Sequence, residues 1–400
     1  MSTQKITLNN VADPARLKVA WIKIRKKGAA GGIDGVTISS FNENLENNIS
    51  ILSQQLLSNN YTPEPLQSVH IPKPGKNEKR QLGLPSLKDK IVQSSLASVL
   101  SEFYDKQFSN CSYAYRPGKG SVKAVGRVRD FLNRKKYWVS LVDIDNYFDS
   151  VDHEICLSML KESISDQDVI RLLSLYFSSG MIQFDKWKDT VIGIPQGGAI
   201  SPILSNIYLN SLDHYLHSLN ASFVRYADDI IILSSTRQKL SDTYEKTKTF
   251  LETKLNLKLN VSNNNVINVS KGFAFLGIYF HRGLLKIDFN RMDEKIEKMK
   301  GIIHKQKNID SAIKEINEFF KGIQRHYAQI VSNNYQLDNL ENTVLNELSV
   351  FMANNKEDQR IKTKKGSKLV LESLIFISEK SIHQKNALID KIIADAFSLI

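Results

Sequence analysis

Two apolar runs rich in β-branched residues, Phe223–Tyr226 and Ile230–Leu233, flank an adjacent pair of aspartates, Asp228 and Asp229. The pattern predicts a short hairpin that carries its charges at the turn. A plain hairpin would hold Asn-Gly, Asp-Gly or Gly-Gly there, because a primed turn needs positive φ. This one offers carboxylates instead. Ahead of it, the stretch from Trp138 opens as a strand whose alternation sets Val139, Leu141, Asp143 and Asp145 on one face, with an acid at the C-terminal end. Gly193 to Pro202 supplies turn residues leading into an apolar, helix-compatible segment, Ile203 to Leu212.

Helical patterns surround these strands. Residues 14 to 27 are basic and end at Gly28, Gly31 and Gly32; they read either as an RNA-facing extension or as a solvated amphipathic helix. Phe41 to Leu57 is helical, and Lys88 to Leu100 gathers Ile91, Val92, Leu96, Val99 and Leu100 on one face. Between them, extended runs around Val69–Pro72 and Lys79–Pro85, joined by a Pro-Gly-Lys turn, predict a basic hairpin. Asp152 is placed to cap a following helix, and Tyr244 to Leu255 forms another. From about residue 285 the period is helical. Ile309, Ile313, Ile316, Phe320, Ile323, Tyr327 and Ile330 make one apolar stripe, Leu337, Leu340, Val344, Leu348 and Phe351 a second, and the segment after Ser367 a third. Stripes of this kind are core.

A formal net charge of +12 makes a polyanion a natural partner, through phosphate neutralisation and counterion release. Cys111 and Cys156 stand far apart, with no Cys-x-x-Cys and no histidine pair at metal spacing, so a reduced, zinc-free protein is expected. No signal-peptide core or membrane-length apolar run is present, and the expectation is a cytoplasmic protein without a membrane partner.

Asp143 with Phe148 five residues on, then Pro195-Gln196-Gly197 with Ser201-Pro202, then Tyr226-Ala227-Asp228-Asp229 stand in an order that resembles the reverse transcriptases, within them the group II intron type. Ser112-Tyr113-Ala114-Tyr115-Arg116-Pro117-Gly118 is similar to the family's Ser-Tyr-Gly-Phe-Arg-Pro-Gly motif, and Phe273 to Ile278 to its primer grip. The resemblance implies an α+β, right-hand polymerase fold. The expected divisions are an N-terminal extension (1–60), fingers (61–135 with part of 155–195), a palm of antiparallel sheet packed on helices (136–285), and a helical thumb with C-terminal helices (286–400).

The same resemblance implies two Mg²⁺ ions, with Mn²⁺ as an alternative, held by Asp143, Asp228, Asp229 and the Ile144 carbonyl. Asp145, on the face of Asp143, is the main decoy. Lys73 and Arg80 on the basic hairpin would bind the nucleotide triphosphate, Phe148 would exclude a 2′-hydroxyl, and Gln196 would approach the incoming nucleotide. Arg116, Gly197, Tyr226, Phe275, Leu276 and Gly277 would contact template or primer. His153 reads as structural. Group II-type enzymes usually carry Lys-Thr where this chain has Asn263-Asn264, so their general acid is missing at that position.

The implied activity is RNA-directed DNA synthesis, with an RNA template, deoxynucleotides and a DNA product as partners. The competing reading is an RNA-binding splicing helper that keeps the fold without the catalysis; the intact Asp143, Asp228 and Asp229 favour the polymerase. No Cys/His-rich endonuclease module is expected after the thumb, and neither the Ser-Gln ending of diversity-generating enzymes nor the Val-Thr-Gly signature of retrons is found. By elimination the chain looks like a stand-alone defence-associated enzyme copying a dedicated non-coding RNA, ahead of a group II intron or CRISPR-associated one.

Overall fold

The computed structural model describes residues 5–28, 32–72, 79–183, 186–188, 192–260, 266–306, 308–332 and 335–354, with Gln384, Ala387, Ile389 and Asp390. The chain divides into two compact units, 1–267 and 268–400. Its strands in chain order are β1 (Leu66–Pro72), β2 (Lys79–Leu84), β3 (Trp138–Val142), β4 (Met181–Gln183), β5 (Lys186–Lys188), β6 (Ser222–Tyr226), β7 (Asp229–Ser234), β8 (Ile267–Asn268), β9 (Phe273–Phe275), β10 (Ile278–His281) and β11 (Leu284–Ile287). The architecture is α+β, as expected.

The first unit is built on a sheet in which β7 lies between β6 and β3, antiparallel to both. Helix Arg237–Lys254 lies against β3 and β7, while helices Ser121–Asn133 and Ser201–Ser218 lie against β6. Every residue of β7 from Ile230 to Ser234 is buried. Coverage on both faces explains why the strand reads as a continuous apolar run instead of an alternation. A second sheet, of order β2-β1-β4-β5, contains the basic hairpin as β1 and β2. Helix Leu87–Tyr104 runs through the core, with Ser86 accepting the Asp89 backbone N–H as its N-cap. The basic helix, Pro14–Lys27, packs on it through Leu17, Ala20 and Trp21 and leaves its charges outward. Arg16 is already spent on Glu102 at 2.6 and 2.8 Å.

In the second unit, β9 to β11 form an antiparallel meander. Helices Phe289–Lys305, Ile309–Tyr327 and Tyr335–Asn354 follow. Both anticipated stripes, Ile309 to Ile330 and Leu337 to Phe351, are buried at every named position. The third falls outside the described residues, save for isolated positions. Ser332 and Gln336 bond the backbone of Leu285 and Ile287, closing the outer edge of β11.

Candidate active site

The β6–β7 hairpin is closed by the pair Tyr226 and Asp229, so its central residues are Ala227 and Asp228. Only one aspartate therefore sits in the turn; Asp229 is the first residue of β7. Positive φ falls on Ala227, at +58°, and not on Asp228, the pattern of a type II′ turn with alanine in the place usual for glycine. A left-handed alanine costs about 1–2 kcal/mol relative to its ordinary conformation. Something must hold it there.

Arg225 does so from below. Its side chain has no exposure, and its Nε and Nη2 donate to the two carboxylate oxygens of Asp213 at 2.8 and 2.6 Å. Nη1 donates to Asn206 Oδ1 at 2.9 Å and to the Ala227 carbonyl at 3.2 Å. Asn206 in turn donates to the Ala114 carbonyl at 2.9 Å, and the Arg225 backbone bonds Cys111 and Tyr113. One buried guanidinium thus ties the turn to helix Ser201–Ser218, which is joined to the 112–116 loop. The sequence signal was a lone charge inside the apolar strand Phe223–Tyr226, matched by Asp213 among the apolar residues of that helix.

β3 pairs Val142 with Ile230, and continuing the register by one residue sets Asp143 at the level of Asp229. Asp143 and Asp229 are exposed and Asp228 is half-buried. On its other side β3 meets the segment Leu257–Asn260. Asp145 N–H donates to the Lys258 carbonyl and Asn260 N–H to the Asp143 carbonyl, both at 2.9 Å. Ile144 therefore faces Leu259 as a non-hydrogen-bonded pair, with its own N–H and C=O directed away from that segment. Asp145 carries a different load: its Oδ1 accepts from the Asn146 amide at 2.9 Å, and Asn146 takes φ +42° to start the next turn.

That turn holds Phe148, half-buried, with its ring edge-on to Tyr147 at 5.4 Å. Tyr147 is buried and donates to the Ser205 carbonyl, and burial pushes its phenol far above the usual range. The Phe148 carbonyl accepts Ile194 N–H at 2.7 Å, and the Val151 carbonyl accepts Gly193 N–H at 2.8 Å. His153 bonds the Gly193 carbonyl at 2.6 Å and stacks on Phe177, the structural role anticipated for it. Gln196 and Gly197 are strapped to the basic hairpin as well: Gly83 N–H donates to the Gln196 carbonyl at 2.9 Å. Gly197 has φ +117°, and a Cβ there would lie 2.9 Å from the Gly83 carbonyl oxygen. Only glycine fits. Buried Gln93, which the sequence reading missed, accepts the Ala199 N–H at 3.0 Å. Arg80 is placed by its backbone opposite Ile71; Lys73, Asn263 and Asn264 lie outside the described residues.

Arg116 turns the other way from expectation. Its guanidinium donates to Asp105 Oδ1 at 2.6 Å and to the carbonyls of Asp105, Ser109 and Ser112 at 2.9, 2.5 and 3.0 Å. With 5% exposure it clamps its own loop, and a template phosphate would have to displace Asp105. The outward group on this loop is Tyr115, 53% exposed at φ +58°. In the second unit, Phe275 is buried while Leu276 and Gly277 take φ +51° and +75°, the two left-handed positions of a type I′ turn.

Among the described residues, no three or more histidine, cysteine, aspartate or glutamate side chains are grouped closely enough to hold a metal ion by themselves. The strand register brings Asp143, Asp228 and Asp229 to one end of the sheet, with Asp143 and Asp229 exposed and Asp228 half-buried. An all-oxygen, accessible donor set suits a hard, hydrated divalent cation such as Mg²⁺.

Residues 71–280, just over half of the 400, match the family model "Reverse transcriptase (RNA-dependent DNA polymerase)". The chain belongs to the reverse transcriptases. It is similar to protein YkfC of Escherichia coli (strain K12), 31% identical over 299 residues that make up 65% of this chain and 78% of YkfC. The group II intron-encoded protein LtrA of Lactococcus lactis subsp. cremoris is 29% identical over 206 residues, 51% of this reverse transcriptase and 34% of LtrA. Among solved structures, apo telomerase from Candida tropicalis overlaps 99% of this chain and 86% of its own at a TM-score of 0.48 and 13% identity. The family places the enzyme as an RNA-directed DNA polymerase of group II intron-like type. No described helix of this reverse transcriptase is long and apolar enough to cross a membrane.

Proposed function

We propose that this reverse transcriptase copies RNA into DNA at the end of the β3–β7 sheet, with Asp143, Asp228, Asp229 and the Ile144 carbonyl holding a pair of Mg²⁺ ions, or Mn²⁺ in their place. The observation that carries the reading is the register: Val142 opposite Ile230 and Tyr226 opposite Asp229 bring acids distant in sequence to one end of one sheet. When bound, the ions would supply charge stabilisation for phosphoryl transfer to and from oxygen. The protein's own part is positioning. Lys73 and Arg80 grip the triphosphate, Arg by paired hydrogen bonds and Lys as a point charge. Phe148, fixed against Tyr147 and the 193–194 loop, sits under the sugar and rejects a 2′-hydroxyl. Gln196 and Gly197 let backbone approach the nucleotide and template. Tyr226 supports the template–primer, and the Phe275-Leu276-Gly277 turn supports the primer.

We assign the chain to antiphage defence with a dedicated non-coding RNA as template. Support comes from the Gln196-Gly197…Ser201-Pro202 motif, which departs from that of diversity-generating enzymes, and from the missing retron signature. A second reading, an intron-encoded protein that assists splicing, is favoured by the likeness to LtrA. Primer extension on RNA with Mg²⁺ and each nucleotide class tests the chemistry: deoxynucleotides alone should be incorporated. RNA binding without incorporation would overturn the polymerase in favour of the splicing helper. Sequencing the RNA and DNA that co-purify from cells then separates a single non-coding RNA from an intron transcript.

A further inference from the structure

Asn260 lies outside every motif named above, yet it touches the first of the acids twice. Its backbone N–H donates to the Asp143 carbonyl at 2.9 Å, and its side-chain Nδ2 donates to Asp143 Oδ2 at 3.1 Å. Contact at both backbone and carboxylate fixes the strand end and the side-chain torsion together. The residue making these bonds is itself held. Buried Tyr208 donates to the Leu255 carbonyl at 2.7 Å, and Leu257 N–H bonds the Leu251 carbonyl at 3.0 Å. Asn256, at φ +49°, donates to Asp152 Oδ2 at 3.0 Å, and Leu259 faces Ile144. Four successive anchors therefore deliver an amide N–H to one oxygen of Asp143, leaving Oδ1 and the second lone pair of Oδ2 for another partner. An exposed carboxylate would otherwise sample several rotamers, and ordering it on cation binding would weaken that binding.

We propose that Asn260 is a positioning residue that pre-orients the Asp143 carboxylate and so sets the divalent-cation affinity of the site; this rests on the metal-holding role proposed for Asp143. Supporting hydrogen bonds to metal-ligating groups are worth about 10–100-fold in metal affinity. The exposed position lets Asn260 be changed without opening the core.

The test uses the full chain with a dideoxy-terminated primer annealed to RNA, and reads Mn²⁺ binding from the free-ion EPR signal. Asn260→Ala should weaken Mn²⁺ binding about tenfold or more, with the thermal midpoint unchanged. In primer extension, raised Mg²⁺ should restore the rate, and the deoxynucleotide KM at saturating Mg²⁺ should not move. Asn260→Gln, which keeps the amide donor on a longer arm, should recover part of the affinity. Asp143→Asn serves as the reference. If Asp143→Asn loses Mn²⁺ while Asn260→Ala binds like wild type, the positioning role is overturned and the metal site stands. Tighter binding by Asn260→Ala would equally overturn it, showing that the bond holds Asp143 away from the ion. If Asp143→Asn itself binds like wild type, the proposed metal site fails and this inference with it.

Discussion

Arg225→Met removes one of the few fully buried charges of the first unit and keeps most of its volume. Asp213, also without exposure, then loses both donors to its carboxylate at 2.8 and 2.6 Å. Breaking a buried pair on one side typically costs about 3–5 kcal/mol, because a charge is left buried and unpaired. That is a large part of the roughly 5–15 kcal/mol by which domains are stable. At about 2–4 °C per kcal/mol the midpoint should fall by roughly 10 °C. Trp21, Trp138 and Trp187, the only tryptophans, all lie in the first unit, so tryptophan emission during heating reads the affected transition. The double variant Arg225→Met/Asp213→Leu replaces the pair with apolar groups and should regain most of the midpoint. It should not regain primer extension, because the bonds to Asn206 and the Ala227 carbonyl are still gone. A single variant that melts with wild type, or a double variant that recovers full activity, would refute the claim that this guanidinium holds the Ala227–Asp228 turn in the conformation the proposed activity needs.

Ala227→Gly should raise stability by about 1 kcal/mol, since glycine takes the left-handed conformation at little cost; an unchanged or lower denaturation midpoint would contradict the strain assigned to this turn. Gly197→Ala meets the Gly83 carbonyl and should break the strap between the basic hairpin and Gln196, raising the deoxynucleotide KM about tenfold or more. Burial pushes the Cys156 thiol up to about 12 and raises Cys111 as well, and neither is disulfide-bonded. Both should resist alkylation at pH 8 in the native chain and react at once in denaturant.

Much of the fold was legible because its elements bury one face each. The stripe from Ile309 to Ile330 and the helix around Ile91 and Leu96 follow from periodicity alone, and the cap at Asp152 lies beside the helix it starts. The hairpin was legible too, although its left-handed residue is Ala227, one position before the aspartates. Side-chain direction was not. Arg116 and Arg225 are both arginines beside tyrosines in the sequence, and nothing local says that each turns inward to a carboxylate. Asp105 lies eleven residues from Arg116, and Asp213 twelve from Arg225. Asn260 is harder still, since its partner Asp143 is 117 residues away and only strand pairing joins them. Hydrogen-bond partners of that kind are set by tertiary geometry, which periodicity does not encode.

The central claim is that Asp143 and the Asp228 turn hold one ion site in common. Fe²⁺ put in place of Mg²⁺, with ascorbate and peroxide, cuts the polypeptide only near where the iron sits, and the fragments can be mapped by mass spectrometry. Cleavage is predicted both next to Asp143 and within Tyr226–Asp229, with both cuts suppressed by excess Mg²⁺ and both lost in Asp143→Asn. Cleavage at one of these segments without the other, or persistence of the hairpin cut in Asp143→Asn, would contradict it.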